Sequence, residues 1–329
     1  MSSNALVQLA LTATGYSQKE LSLKLGVSPT QVSKWKKGDY ISFEMEGRLR
    51  ELAQIGDLDP DVVVSAGSLE AAKKWQRLIA FLANFALEGA ETGYTTVPLQ
   101  DELDLLIGAT VSILKEIGAP IPPAYPRDID LNFDDAWEDE ATDCALLDAI
   151  EANPYSRTIL AIFRALNDVY GFYAAYLCEL FDREELGLME TPAENIEPGL
   201  IELAATKVDV DKDFAPHFGR FRAKIRADYE KWICLVKDKA FQAGVPLRAE
   251  LLNLVYDSSD ALSHKAEAES LGFNAGRIHP DIYMNELLVG MRVIHQVLPA
   301  ILKKLGIDEE FKLDPSELSL GDFPRPEDD

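Results

Sequence analysis

The sequence predicts an all-α fold, in which a small N-terminal helical domain precedes a larger, strongly acidic helical domain. Apolar residues recur at spacings of three and four along most of the chain, the repeat of a helix with one buried face. No stretch shows the sustained alternation of a half-buried strand. With 329 residues, 47% of them apolar, the chain is long enough for two domains with cores of their own.

The first two predicted helices are short and end at glycines. The first ends at Gly15, and its apolar stripe consists of Leu6, Leu9, Ala10 and Ala13. The second begins with a capping box, because Ser17 can cap the helix while Glu20, three residues later, reaches back. It ends at Gly26, since glycine tolerates the left-handed conformation of a sharp turn.

The third predicted helix runs from Pro29 to about Lys37, with Ser28 as its N-cap. Val32 and Trp35 are three residues apart and are expected to face the core. The other side chains form a polar and cationic face without an acid: Thr30, Gln31, Ser33, Lys34, Lys36 and Lys37. Glutamine and lysine can reach base edges in a major groove, while lysine, serine and helix N-terminal amides hold phosphates.

A fourth helix is predicted after Ser42, and the domain is expected to span residues 1–56. Three apolar residues should close its core: Phe43, Leu49 and Leu52. The turn-rich residues that follow predict a linker over 57–68. Residues 1–56 carry a net charge of +2, whereas the rest of the chain carries −26. A chain this acidic does not coat nucleic acid through its overall charge, so any contact must be local.

The stretch SQKELSLKLGVSPTQVSKWKKG resembles the helix-turn-helix of the lambda-repressor/Cro-like (XRE-type) family of DNA-binding domains, and the resemblance covers residues 3–55. It implies that Gln18 and Ser28 contact the phosphate backbone. It also implies three principal base readers, backed by two further charges: Thr30, Gln31 and Lys34, with Lys36 and Lys37. Two residues depart from the family pattern. Pro29 replaces a residue that is often polar, and Leu23 is apolar where a solvated residue is usual, as if something covered the second helix.

The body, residues 69–306, is predicted to be helical almost throughout. The expected helices are 69–90, 98–117, 141–152, Pro154 to Leu186, 198–206, 214–242, 246–256, 258–271 and 280–305, the last kinked at Pro299. The break near 187–199 allows the body to be one bundle or two packed halves. An acidic C-terminal tail follows over 307–329.

Three features of the body leave alternatives open. Residues 128–151 hold ten acids and no base, which fits a solvated segment or a surface that docks a basic partner or shields the head. A calcium loop there is disfavoured, because Phe133 and Asp139 stand where glycine and glutamate belong. The basic stretch 220–239 fits pairing with that block or a second nucleic-acid contact. An aromatic cluster fits core or a ligand pocket: Tyr155, Phe163, Tyr170, Phe172, Tyr173, Tyr176 and Phe181.

No pattern of catalytic, metal or cofactor chemistry is visible. The three cysteines are Cys144, Cys178 and Cys234, an odd number without the spacing of a zinc site, which favours a reducing cytoplasm. The four histidines lack metal-binding spacing, and no hydrolase, phosphate-loop, dinucleotide or kinase motif is present. No export signal or membrane span is predicted. We therefore expect a protein that is not an enzyme and has no cofactor or metal.

The sequence thus favours a sequence-specific transcriptional regulator, a repressor that reads double-stranded DNA with the third helix. One such head makes few contacts, so a homodimer is expected, with the body supplying dimerisation and the sensing of a small ligand. The alternative is an antitoxin-like or defence-associated interaction protein whose acidic body binds a basic protein.

Overall fold

The computed structural model describes residues 3–131, 133, 140–274 and 278–307, and every regular element in these ranges is a helix. The predicted all-α class is confirmed. The α-helices are α1 (Ser3–Thr14), α2 (Gln18–Leu25), α3 (Pro29–Trp35), α4 (Phe43–Ala53), α5 (Pro60–Ala66), α6 (Leu69–Glu88), α7 (Val97–Gln100), α8 (Leu103–Glu116), α9 (Glu140–Ala152), α10 (Pro154–Tyr176), α11 (Cys178–Phe181), α12 (Leu200–Ala205), α13 (Phe218–Ala243), α14 (Asn253–Tyr256), α15 (Ser259–Ser270) and α16 (Pro280–Leu305). Short 3₁₀ helices lie at Arg127–Ile129, Glu184–Leu186, Leu188–Glu190 and Pro192–Asn195.

Helices α1 to α4 form the N-terminal head, in which α1 packs against α4 and α2 against α3. The apolar stripes predicted from spacing supply most of its core, but in α1 the predicted Ala13 is exposed and Leu9 is half-buried, while Val7 is buried. The buried apolar side chains are Ala5, Leu6, Val7, Ala10, Leu21, Leu25, Val32, Trp35, Ile41, Leu49 and Ala53. Phe43 is a correction: it is 89% exposed, because the first residue of α4 points away from the core that Ile41 and Leu49 fill.

The stretch predicted as a linker, 57–68, contains helix α5. Its N-cap is Asp59, whose carboxylate accepts hydrogen bonds from the amides of Asp61 and Val62. Val62 and Val63 are buried, and α5 packs against α1 on one side and against α6 and α8 on the other. The Asp-Pro pair that suggested a turn starts a helix equally well, since aspartate caps and proline suits the first helical position. The head therefore joins the body through a packed helix.

Helix α10 is the centre of the body. It packs against α6, α12 and α15. Most of the predicted aromatic cluster lies in the core around it, since Phe163, Phe172, Tyr173 and Tyr176 are buried. Tyr155, Tyr170 and Phe181 are half-buried and pack against the same core. Because the large side chains fill the space between helices, core packing accounts for this cluster.

Several predicted helices of the body are broken where the chain turns. The 98–117 helix divides into α7 and α8, and the long helix from Pro154 ends at Tyr176 before a separate α11. Of 246–256, only Asn253–Tyr256 is helical. The 187–199 segment carries two of the 3₁₀ helices and buries apolar residues against the core, so it packs with the rest of the body. Helix α16 continues through Pro299.

The acidic stretch 128–151 lies partly outside the described residues, as do residues 308–329 of the tail. Of its described acids, Asp130 pairs with Lys74 at 2.6 Å and Asp128 accepts a hydrogen bond from Asn153 at 2.7 Å. The calcium-loop prediction involves Asp139, outside the described residues. In the basic helix α13, Lys224 pairs with Glu116 at 3.9 Å. Within the described ranges, none of the helices is long and apolar enough to cross a membrane, and no cluster of side chains suits a metal ion.

Candidate nucleic-acid interface

A tight turn between α2 and α3 sets the position of α3. Gly26 takes a left-handed conformation, with φ of 71°, which glycine adopts without strain. Ser28 then caps α3: its hydroxyl oxygen accepts a hydrogen bond from the amide of Gln31 at 3.1 Å, and Pro29 occupies the first helical position. The start of α3 is thus defined by residues 26–31 alone.

Two buried side chains fix which face of α3 points outward. Val32 and Trp35 are buried in the head core. The indole Nε1 of Trp35 also donates a hydrogen bond to the carbonyl oxygen of Tyr40 at 3.1 Å, which ties down the loop after the helix. Helix α3 ends at Trp35, earlier than the predicted Lys37, so that Lys36 and Lys37 lie in the turn that follows.

None of the eight predicted contact residues is buried. Five are exposed, namely Gln18, Ser28, Thr30, Lys34 and Lys37, and three are half-buried, namely Gln31, Ser33 and Lys36. Thr30 and Lys34 are four residues apart on one face of α3, opposite the buried Val32 and Trp35, and Lys37 lies in the turn after the helix. We call the surface of these eight residues the α3 surface. It contains three lysines and no acid.

Two arginines that the sequence counted as part of the positive head have internal partners. Arg48 donates from Nη1 to the carbonyl oxygen of Leu25 at 2.9 Å and from Nη2 to that of Lys24 at 3.2 Å. It thereby satisfies the C-terminal carbonyls of α2. Arg50 pairs with Glu46 at 2.9 Å and donates to the carbonyl oxygen of Leu58 at 3.0 Å. The lysines of the α3 surface therefore carry a larger share of the exposed positive charge than the sequence suggested.

The capping box predicted at α2 is present. The amide of Ser17 donates to the Glu20 carboxylate at 2.8 Å, and its hydroxyl donates to the same oxygen at 2.7 Å. These hydrogen bonds from Ser17 lower the pKa of Glu20. The carboxylate of Glu20 is thus hydrogen-bonded at the start of α2, where its negative charge also complements the helix dipole.

Four large apolar side chains of the head are exposed: Tyr16 before α2, Leu23 on α2, Tyr40 before α4 and Phe43 at the start of α4. The covering of α2 suggested by Leu23 does not come from the described part of this chain, since Leu23 is 74% exposed. Ser42 stands at the N-cap of α4 as predicted, but its side chain makes no capping hydrogen bond.

Comparison with known proteins identifies the head. No curated protein and no solved structure matches the chain. Residues 7–46 match the family model described as Helix-turn-helix. This range holds α2, the Gly26 turn, α3 and the whole α3 surface. The N-terminal domain of this chain is therefore a helix-turn-helix domain of the XRE, lambda-repressor/Cro-like type, the kind with which such regulators bind DNA.

Proposed function

We propose that the protein is a dimeric, sequence-specific repressor that reads a DNA half-site by placing α3 in the major groove. The observation that carries the proposal is the α3 surface, a face of three lysines and four uncharged polar side chains on or beside a helix whose other face is locked by Val32 and Trp35. Gln18, at the start of α2, extends it. Long polar side chains on a rigid helix can meet base edges, and the lysines can meet phosphates.

The dimer follows from the size of this surface. One short helix makes few base contacts, whereas helix-turn-helix proteins that bind tightly use two heads on two half-sites about one helical turn apart. The body, which accounts for most of the chain, supplies the second contact between copies in this proposal. The proposed activity is binding without catalysis.

The test is fluorescence anisotropy of the full chain with DNA from upstream of its own gene, against scrambled DNA, at two salt concentrations. A triple variant carries Thr30→Ala, Gln31→Ala and Lys34→Ala. Its matched control is Lys115→Ala, which removes one exposed positive charge from α8 of the body. We expect the wild type and the control to prefer the upstream DNA, and the triple variant to lose that preference.

Equal affinity of the wild type for upstream and scrambled DNA would contradict the proposal. Retained preference in the triple variant would contradict the assignment of α3 as the reading helix. Repression itself is tested with a reporter gene behind the bound DNA, where deletion of the regulator should raise expression.

The charge of the body favours a second candidate function. Residues 57–329 carry a net charge of −26, and such a field attracts basic proteins. In this alternative the protein is an antitoxin-like or defence-associated adaptor, and the head regulates its own operon or only docks. Calorimetric titration of the full chain with the basic proteins encoded beside its gene distinguishes the two. Salt-sensitive binding of a protein together with no DNA preference would favour the adaptor.

The body also holds a cleft suited to a small ligand. It measures about 550 Å³ and lies between α7, α8 and α12. Its lining is mostly apolar, with Leu105, Leu106 and Ile201 among the side chains, and Glu102 and Glu197 also line it. An apolar molecule with a cationic group fits that chemistry. The proposed sensing function would use this cleft.

A further inference from the structure

Helix α16 carries an apolar stripe with the spacing of a coiled coil. Its residues alternate at intervals of three and four: Met284, Leu287, Met291, Ile294, Leu298 and Ile301, with Leu305 continuing the series. In a heptad these are positions a and d, which face a partner helix. We call these seven residues the α16 stripe. Pro299, which lacks an amide donor, lies outside it.

The described part of the chain does not cover this stripe. Helix α16 is attached at its start, where Ile282 is buried and the Asn285 side chain donates to the carbonyl oxygen of Phe241 at 3.0 Å. From Glu286 to Ile301 every residue is exposed. The seven side chains of the stripe are between 44% and 65% exposed. Soluble domains rarely leave so long an apolar series in water unless it is an interface.

The length of α16 matches what a stable pairing needs. A helix of 26 residues is about 39 Å long and about 11 Å across, and half of that cylinder has an area of about 700 Å². A standard protein interface buries about 800 Å² on each partner. One helix of this kind therefore supplies most of a dimer interface by itself.

The charges of α16 set the direction of pairing. Glu286 lies near its start, and Lys303 and Lys304 lie at its end. Parallel pairing would bring like charges together at both ends. In an antiparallel coiled coil, position a lies opposite position d of the partner, so Met284 pairs with the partner's Ile301, and the partner's Lys303 lies about one helical turn from Glu286. Antiparallel pairing also places the positive end of each helix dipole beside the negative end of the other.

A groove at the root of α16 extends the same surface. It measures about 520 Å³, and its apolar lining is formed by Phe241 of α13 with Met284 and Leu288 of α16. In the antiparallel register the end of the partner's α16 lies over this groove.

From these observations we propose that α16 is the dimerisation element, and that it pairs in an antiparallel manner with α16 of a second copy of this chain. This inference deepens the proposed function, because it supplies the second head that an operator with two half-sites requires. The dimer is tested in the absence of DNA. Homodimerisation would then be carried by one helix that is separate from the head and the α3 surface.

The test compares two charge insertions on the same helix by sedimentation equilibrium without DNA. The stripe variant carries Ile294→Glu and Leu298→Glu. The control variant carries Val289→Glu and Val293→Glu, two apolar residues of similar exposure that lie outside the stripe. We expect a dimer for the wild type and the control, and a dissociation constant raised about 100-fold or more for the stripe variant, since two glutamates would be buried at the interface centre.

Folding is checked separately, by thermal unfolding followed by circular dichroism. All four substituted residues are exposed, so the head and the body should unfold at the wild-type temperature in both variants. A wild type that stays monomeric at 50 µM would overturn the proposal. Equal weakening of the dimer by the stripe variant and the control variant would also overturn it. The same holds if the protein is monomeric and co-floats with anionic lipid vesicles through α16.

Direction is tested by cysteine crosslinking in a background with Cys144→Ser, Cys178→Ser and Cys234→Ser. Variants with Met284→Cys and Ile301→Cys are prepared singly and then mixed. Antiparallel pairing gives a disulfide only between the two different variants. Crosslinks within each single variant would show parallel pairing and overturn the orientation.

These outcomes separate the two proposals. A stripe variant that is monomeric but still prefers the upstream DNA, at lower affinity, supports both. A wild type that forms the α16 dimer but shows no DNA preference leaves the dimer standing and removes the repressor.

Discussion

At the scale of single residues, the α3 surface divides into readers and charges. Gln31 is half-buried at the flank of α3. Its backbone amide donates a hydrogen bond to the Ser28 hydroxyl oxygen at 3.1 Å, which fixes the backbone position from which the Gln31 side chain extends. Lys36 lies in the turn after α3, where its ammonium group can contact DNA phosphates but has less access to base edges. Substitution of each residue should therefore change DNA binding in a different way.

We predict that Lys36→Ala weakens binding to specific and random DNA alike and lowers the slope of log affinity against log salt by about 1. Gln31→Ala should relax the preference at one base pair, with a loss of about 1–3 kcal/mol on the preferred site only. Anisotropy titrations on a panel of single-base operator variants measure both. If the two variants affected specific and random DNA equally, Gln31 would not be a reader.

A second prediction at this scale concerns Asp168 on α10. Burial raises the pKa of its carboxyl from 3.8 to about 6, and the neighbouring Asp260 and Glu91 act in the same direction. The folded protein therefore holds this proton more tightly than the unfolded chain does. The stabilisation from this proton is fully present below about pH 4 and is lost as the pH rises through about 6.

We predict that Asp168→Asn leaves the free energy of unfolding unchanged near pH 4 and raises it by about 1–2 kcal/mol at pH 7, a value discounted for partial solvent exposure. Urea unfolding at a series of pH values measures this difference. Asp104→Asn is the control: it removes an exposed carboxylate from α8 that is not among the groups acting on Asp168, and it should shift the curve little. A constant offset between Asp168→Asn and the wild type at all pH values would contradict the pKa shift.

At the scale of elements, caps decide where α3 begins. Ser28 and Ser42 stand at equivalent N-cap positions of α3 and α4, but only the Ser28 side chain accepts a capping hydrogen bond. We predict that Ser28→Ala destabilises α3 by about 1 kcal/mol, whereas Ser42→Ala changes stability by only a few tenths. Hydrogen exchange of the amides of residues 30–35 measures the local opening. Equal acceleration of exchange by both substitutions would show that the Ser28 hydrogen bond is not the cause.

Also at this scale, sequence patterns located most helices but not all of their ends. Helix starts at a serine or asparagine followed by proline were predicted, as at Ser28 and Asn153, whereas the Asp59-Pro60 start of α5 was predicted as a linker. The predicted 246–256 helix failed, because Leu247 and Leu251 are buried without helical structure. Apolar spacing records which side chains are buried, and a packed loop can bury the same side chains as a helix.

At the scale of the whole molecule, α5 connects the head to the body as a packed helix. Gly67, at its end, has φ of 74° and lies so close to Pro123 that an added Cβ would be 3.1 Å from the proline Cβ. Helix α5 thus packs against α1 of the head on one side and against α6, α8 and Pro123 of the body on the other. In a dimer joined through α16, this packing would fix the spacing between the two copies of α3.

We predict that the wild type tolerates one half-site spacing and loses about 10-fold or more in affinity when 5 base pairs are inserted, since half a helical turn moves one half-site to the opposite side of the duplex. A six-residue Gly-Ser insertion between Gly67 and Ser68 should remove most of this spacing dependence. The same insertion after Lys212, in an exposed loop, is the control. Spacing dependence that persists in the Gly67 insertion would show that α5 does not set the head orientation.

The sequence by itself determined the helix-turn-helix, because its signals lie within a few residues of one another: the capping box at Ser17, the glycine turn at Gly26, the Ser28-Pro29 start and the Val32-Trp35 face. Each of these signals involves residues at most three positions apart, so it can be recognised without knowledge of the fold. The eight residues of the α3 surface follow from the same local rules, and what they bind stays a prediction.

Only the tertiary structure decided which groups meet across long separations. Arg48 caps α2 from 23 residues away, the expected linker became a packed helix, and Phe43 was left in solvent. The exposure of the α16 stripe is likewise invisible in the sequence, since its apolar spacing also fits a helix buried in the body. Whether such a face is covered depends on where the other helices lie, which spacing alone does not encode.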